Sequence, residues 1–164
     1  MEKSSRMRFS VRLALAVLSL VLLTECSRAP VPTSPPQRSE RAANVVMLAL
    51  SLRNTNYRFG GKNPMGGIDC SGLVTYVFKH AIGMRLSGNA AMLAQQGRKV
   101  SRNRIRPGDL VFFNTRGRPY SHVGIYIGNH EFIHAPNSRG VVRIDKLTNP
   151  YYAARFESAR TVLD

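Results

Sequence analysis

From residue 41 onward the apolar positions change period once. Ala42 to Leu52 is rich in helix formers and apolar nearly all round, which predicts a buried helix. Asn54 to Gly61 turns the chain, and Gly60-Gly61 and Gly66-Gly67 make a permissive loop. Leu73, Val74, Val77, Phe78, Ala81 and Ile82 then recur at helical spacing. They predict an amphipathic helix that starts near Cys70 and ends at Gly83. Asn89 to Gln96 reads as a short third helix closed by Gly97. Beyond it the period is two. Strands are predicted at Leu110–Phe113, His122–Ile127, Glu131–Ala135, Val141–Ile144 and Arg155–Val162, with a short helix over Leu147–Ala153. In His122–Ile127 the residues Val123, Ile125 and Ile127 share one face, and His122, Gly124 and Tyr126 the other. Helices first and an antiparallel meander second define an α+β domain over 41–164.

The N-terminal part follows another rule. Lys3, Arg6, Arg8 and Arg12 precede an apolar run, Leu13 to Leu23, broken only by Ser19. This is the layout of an export signal, and the run is too short to span a bilayer as a helix. Leu23-Thr24-Glu25-Cys26 resembles a bacterial lipobox, in which the cysteine is acylated and becomes the first residue; Glu25 departs from the small residue usual there. Cleavage elsewhere, or none, is the alternative. Three acyl chains on Cys26 would anchor the protein firmly to a membrane. Ser27 after it, with no Asp, resembles lipoproteins sorted to the outer membrane, and so implies a periplasmic domain. Residues 1–26 are therefore assigned to the signal and its lipobox-like end. Residues 27–40, with Pro30, Pro32, Pro35 and Pro36, form an extended tether.

Charge and cysteine content sharpen this. The 164 residues hold 24 Lys and Arg against 9 Asp and Glu, a formal charge of +15. The first 25 residues account for four of the former and two of the latter, so +13 remains without them. Such a charge favours anionic lipid or wall polymer, and export argues against nucleic acid as a partner. With Cys26 in the signal, Cys70 has no partner for a structural disulfide, and reactivity is the simplest reason to keep it. At a helix N-terminus the dipole and free N–H groups favour a thiolate. A pKa drop from ~8.5 to ~6.5 would make roughly three-quarters of it nucleophilic at neutral pH.

A thiol nucleophile needs a base, and the base an orienting partner. Of the four histidines, His80 lies about 15 Å along its helix from Cys70. His130 sits in a hairpin loop, solvated. His122 opens a strand, and His134 lies on the next, where it can hold the useful tautomer of His122. A two-residue Gly128-Asn129 loop would place these two rings on opposite faces. They share a face only with an odd-length loop or a bulge, and one of these departures is predicted. One Cys with two His could ligate zinc, but no close-spaced ligand pair surrounds Cys70, so zinc is not expected, and thiol chemistry implies no other cofactor.

Five segments together resemble the NlpC family of bacterial cell-wall cysteine peptidases. They are Tyr57-Arg58-Phe59-Gly60-Gly61, Asp69-Cys70-Ser71-Gly72-Leu73-Val74, Arg106-Pro107-Gly108-Asp109-Leu110-Val111-Phe112-Phe113, Ser121-His122-Val123-Gly124-Ile125-Tyr126-Ile127-Gly128 and Phe132-Ile133-His134-Ala135. The resemblance implies a papain-like core and hydrolysis of peptide bonds in peptidoglycan stems. By position it makes Cys70 the nucleophile, His122 the base and His134 the orienting residue. It implies that the Cys70 N–H helps form an oxyanion hole, with Tyr57 contributing to that hole or to the substrate. Asp69 and Ser71 match stem-binding positions, although Asp69 reads equally as a plain helix N-cap. The chain departs at Ser87-Gly88-Asn89, where many members carry Pro-Arg-Thr or Pro-Arg-Ser. A catalytically silent wall-binding scaffold, or an amidase or acyltransferase on the same core, are the competing readings. No adaptor protein is identified by the sequence.

Overall fold

The computed structural model describes residues 37–136 and 140–164. The export-type segment, Cys26 and tether residues 27–36 lie outside the described residues. Helix α1 spans Arg38–Ser51, so the tether can run no further than Gln37. Its buried residues are Ala42, Val45 and Ala49, a single stripe at helical spacing, while Met47 is exposed. The all-round burial expected from composition is thus replaced by a one-sided contact with the next long helix.

Strands β1 (Lys62–Asn63) and β2 (Gly67–Ile68) make a tiny hairpin that the sequence pattern did not foretell. Helix α2, Cys70–Ile82, follows at once. Asp69 caps it by accepting the Gly72 N–H at 2.7 Å, and Gly83 ends it in the left-handed conformation (φ 69°). The start of α2 is pressed against the preceding loop. A Cβ on Gly72 would lie 2.0 Å from the Gly61 carbonyl oxygen, so only glycine fits there. Helix α3 is one turn, Ala90–Leu93, capped by Asn89.

Strands β3 (Arg98–Val100), β4 (Leu110–Phe113), β5 (His122–Gly128), β6 (Glu131–His134), β7 (Arg143–Lys146) and β8 (Phe156–Thr161) form one antiparallel sheet. The order is β3-β8-β4-β5-β6-β7. Strands β4 to β7 are the expected meander, but β8 returns across the molecule to pair with β4, and β3 becomes an edge. That closure is non-local and leaves no local sequence signal.

The sheet is apolar on both faces. One face, with Leu110, Phe112, Val123, Ile125 and Ile133, packs on α1 and α2. The other carries Phe113, Phe132 and Tyr126 under Tyr152 of helix α4, Pro150–Ala153. The described residues thus form a compact unit with a hydrophobic core of its own.

The β5–β6 hairpin departs from the simple form. Gly128 pairs with Glu131, leaving a two-residue turn whose Asn129 and His130 have φ of 51° and 60°. Further along, Tyr126 pairs with Phe132 and Ile125 with Ile133, so Ile127 is an extra residue, a β-bulge. The bulge shifts the register by one and brings His122 and His134 to the same face. Continuing that register sets Gly124 opposite His134. A Cβ at Gly124 would meet Phe132 Cδ2 at 2.6 Å and His134 Cβ at 3.3 Å. Gly124→Ala is therefore expected to overpack this buried face by about 1–3 kcal/mol, read as a lowered urea midpoint at unchanged m-value.

Candidate active site

Cys70 occupies the first helical position of α2, half-buried on the wall of a groove of about 330 Å³. Its own N–H has no intrahelical partner at that position. The backbone N–H groups of Val123 and Ser71 face the sulfur and favour its ionised form. Since Val123 follows His122, the thiol is docked beside the start of β5. Tyr57, Phe59, Asp69, Ser71 and Arg116 contribute to the same groove.

Behind it runs a line of hydrogen bonds through three adjacent strands. His122 Nε2 lies 2.7 Å from His134 Nδ1, and His134 Nε2 lies 2.8 Å from Asp145 Oδ2. Arg143 Nε donates to the same Asp145 oxygen at 2.9 Å. Burial alone would raise the Asp145 pKa, but hydrogen bonds from His134 and Arg143 outweigh it and hold it at about 2. A carboxylate only accepts, so His134 must carry its proton on Nε2. Its Nδ1 is then an acceptor, and His122 must donate from Nε2. The remaining nitrogen of His122, Nδ1, is left with a free lone pair. Asp145 thus sets the tautomer of a ring two strands away.

The two imidazole rings are largely shielded, although a cleft of about 390 Å³ reaches His122 beside Asp145, Arg143 and Tyr152. His122 is 4% exposed and His134 0%. Phe132 and Tyr152 pack on His134 with ring centroids 4.7 and 5.3 Å away, and Phe113 lies 6.2 Å from His122. A second aromatic cluster, apart from the core under α1 and α2, covers this face. Burial is also the main reason that the His122 pKa falls well below the ordinary value, with His134 and the Arg116 and Arg143 charges adding to it. His134 is lowered by burial too, against the opposing pull of Asp145.

The thiol differs from the expected thiolate. Burial pushes Cys70 up to about 11, and the Asp69 carboxylate adds to this; the Val123 and Ser71 N–H groups and Arg116 pull the other way without prevailing. The resting pair is a neutral thiol beside a neutral imidazole rather than an ion pair. Iodoacetamide alkylation of Cys70 is therefore expected to accelerate about tenfold per pH unit from pH 7 towards 10. A rate already flat at pH 7 would show the sulfur to be ionised at rest.

Asp69 is fully committed. Its Oδ1 accepts from the Gly72 N–H and from Ser71 Oγ (2.9 Å), and its Oδ2 from the Gly60 N–H (2.9 Å). It clamps the loop to the helix start, and the Ser71 hydroxyl is spent on it. Tyr57 lines the groove, its hydroxyl accepting from Arg116 at 3.4 Å. Arg116 also lies 5.8 Å from the centre of the exposed Phe59 ring. The loop that delivers it is held by Ser121, whose Oγ accepts the N–H groups of Thr115 and Arg116 at 2.9 and 3.1 Å. At the departure Ser87-Gly88-Asn89, Asn89 serves as the α3 cap, and the cations lining the groove are Arg116 and Arg118. His80 is exposed on the outer side of α2, its ring 4.3 Å from that of Tyr76, and His130 is exposed in its turn.

Asp145, Arg143 and Arg116 were not singled out from the sequence. The strand expected at Val141–Ile144 lies at Arg143–Lys146, and that shift of two residues hid Asp145. The signal available was a lone acid on an alternating strand downstream of His134.

A helix-borne thiol docked against an imidazole relay on an antiparallel sheet is the layout of a papain-like α+β fold. The model of the NlpC/P60 family matches residues 54–161, and the chain belongs to that family. Among its relatives is the murein DD-endopeptidase MepS/murein LD-carboxypeptidase of Escherichia coli K12, 42% identical over 111 residues. That match covers 68% of this chain and 57% of the relative, so the chain spans little more than half of it. The probable endopeptidase NlpC of Escherichia coli K12 is 34% identical over 159 residues, covering 93% of this chain and all of the relative. Among solved structures, the NlpC/p60 domain of the peptidoglycan hydrolase SagA superposes with a TM-score of 0.64 at 30% identity. It covers 74% of this chain and 98% of that one.

Proposed function

We propose that this protein is a peptidoglycan endopeptidase that hydrolyses an amide in murein stem peptides by thiol catalysis. The observation that carries the reading is the line of hydrogen bonds Asp145–His134–His122, which leaves one imidazole nitrogen as base, with the backbone of Val123, the next residue, facing the Cys70 sulfur. The names of its relatives, a murein DD-endopeptidase and a peptidoglycan hydrolase, supply the substrate class.

In this reading His122 Nδ1 takes the Cys70 proton as sulfur attacks the amide carbonyl. The Cys70 N–H, free at the helix start, donates to the developing oxyanion. His122 then returns the proton to the leaving amine as the C–N bond breaks, giving a thioester. Water, deprotonated by the same nitrogen, releases the acid and restores the thiol. His134 and Asp145 stabilise the imidazolium formed on the way. Arg116 and Arg118 offer cations to the stem carboxylates, and Tyr57 holds Arg116 in place. The domain works in the periplasm, anchored to the outer membrane through acylated Cys26; palmitate labelling lost in Cys26→Ser tests the anchor.

The activity is tested by incubating the protein with cross-linked muropeptides of defined structure and weighing the products. Stem fragments are expected, and prior alkylation is expected to abolish them. Product mass then distinguishes a cut between D-glutamate and diaminopimelate from a cut in the cross-link. Intact substrate after prolonged incubation would instead support a wall-binding scaffold.

A further inference from the structure

Residues 98–106 hold five basic side chains, Arg98, Lys99, Arg102, Arg104 and Arg106, and no acid. Four lie on the edge strand β3 and the 3₁₀ turn Arg102–Arg104 that follows, and Arg106 two residues beyond it. All five are exposed. Arg98 and Arg106 converge with Arg38 on one carboxylate, Asp164, and Arg38 also pairs with the buried Asp109 at 2.7 Å, so three cations share two anions. Among the described residues Lys99, Arg102 and Arg104 make no ion pair. One or two charges suffice to blunt an edge strand against pairing with another chain. Five in nine residues exceed that need.

The position of this face matters as much as its charge. Arg38 opens α1, so the chain enters the domain at this face. Fourteen residue steps separate Gln37 from Leu23, the end of the apolar run, and eleven separate it from Cys26. At 3.3–3.6 Å per residue these reach at most about 50 and 40 Å. Whichever of the two is held by a bilayer, the start of α1, beside which the basic face lies, stays within that distance of it. The groove is remote from it: the base lies on β5, three strand spacings or about 14 Å from β3.

We infer that this face docks on a bilayer carrying anionic phospholipid headgroups. It holds the sheet edge β3 against the lipid and leaves the groove free. The inference rests on the membrane proximity proposed above and is independent of the hydrolytic chemistry.

Residues 37–164, which contain the whole core, are tested without any anchor. The partners are vesicles of phosphatidylcholine alone or with about 30% phosphatidylglycerol. Co-sedimentation is expected with the anionic vesicles only, and is expected to fade as salt rises from about 50 to 500 mM. Lys99→Gln/Arg104→Gln is expected to weaken partitioning about 30-fold, at roughly fivefold per charge. Its melting temperature and muropeptide turnover should be unchanged, and Lys99→Arg/Arg104→Lys should retain binding. Equal binding to neutral vesicles, or an unaffected Gln variant, would overturn the inference. Tighter binding to a DNA duplex than to anionic vesicles at the same salt would overturn it as well. Loss of vesicle binding with turnover intact would leave the hydrolase reading standing.

Discussion

Cys70→Ala is expected to lower muropeptide turnover by more than about 10⁴-fold while leaving the domain folded. Removal of the nucleophile from a residue set that acts as a unit costs nearly the whole rate enhancement. The stability cost is small for local reasons. Position 70 is the first residue of α2, where alanine is the best helix former, and the helix start is fastened by Asp69 rather than by the thiol. The change in unfolding free energy should stay within about 1 kcal/mol, since only one half-buried sulfur is lost. The pair of measurements is turnover by product mass and melting by circular dichroism. A Cys70→Ala protein that melts normally and still releases fragments would end the thiol reading.

The second large effect is expected at a residue that touches no substrate. Asp145→Asn preserves size, but an amide offers both a donor and an acceptor. Turned with its N–H₂ towards His134 Nε2, which also forfeits the Arg143 bond to that atom, it moves the proton on that ring to Nδ1. His122 Nε2 then becomes the acceptor, its Nδ1 takes the proton, and the base is lost. The same logic in a serine protease triad, with an Asp next to its histidine, costs about 10⁴ in kcat. Here one more ring lies between, and a loss of about 10²–10⁴ in kcat with little change in KM is expected. Asp145→Glu keeps an acceptor-only partner and should recover part of the rate. A merely structural role would predict instead that Asn and Glu variants fail in proportion to their loss of stability. A kcat that follows melting temperature across both variants would remove Asp145 from the relay.

The neutral resting pair also fixes the sign of a pH effect on stability. His122 and His134 have lowered pKa values in the folded protein, so the unfolded chain binds more protons just below the ordinary histidine pKa. Their contribution is complete above about pH 6.5 and is lost as pH falls below it towards the folded values. Urea midpoints are expected to decline over that interval, and substituting both rings by Gln should flatten the decline.

What could be read along the chain were features set by neighbours a few residues apart. The cap at Asp69, the apolar stripe of α2, its stop at Gly83, and the strands at Leu110–Phe113 and His122–Gly128 all have local causes: backbone capping, helical period and alternation. The three residues Cys70, His122 and His134 were legible as types suited to thiol chemistry, and the need for a bulge followed from parity alone. Long-range packing decided the rest. The return of β8 to β4, the aromatic cover over the histidines, the Asp145 end of the relay and the neutral state of Cys70 each depend on groups many residues apart. Burial is a property of the assembled molecule. A helix dipole acts at the helix start whatever surrounds it, whereas desolvation appears only when β5 and the groove walls close on the sulfur, and here desolvation prevails.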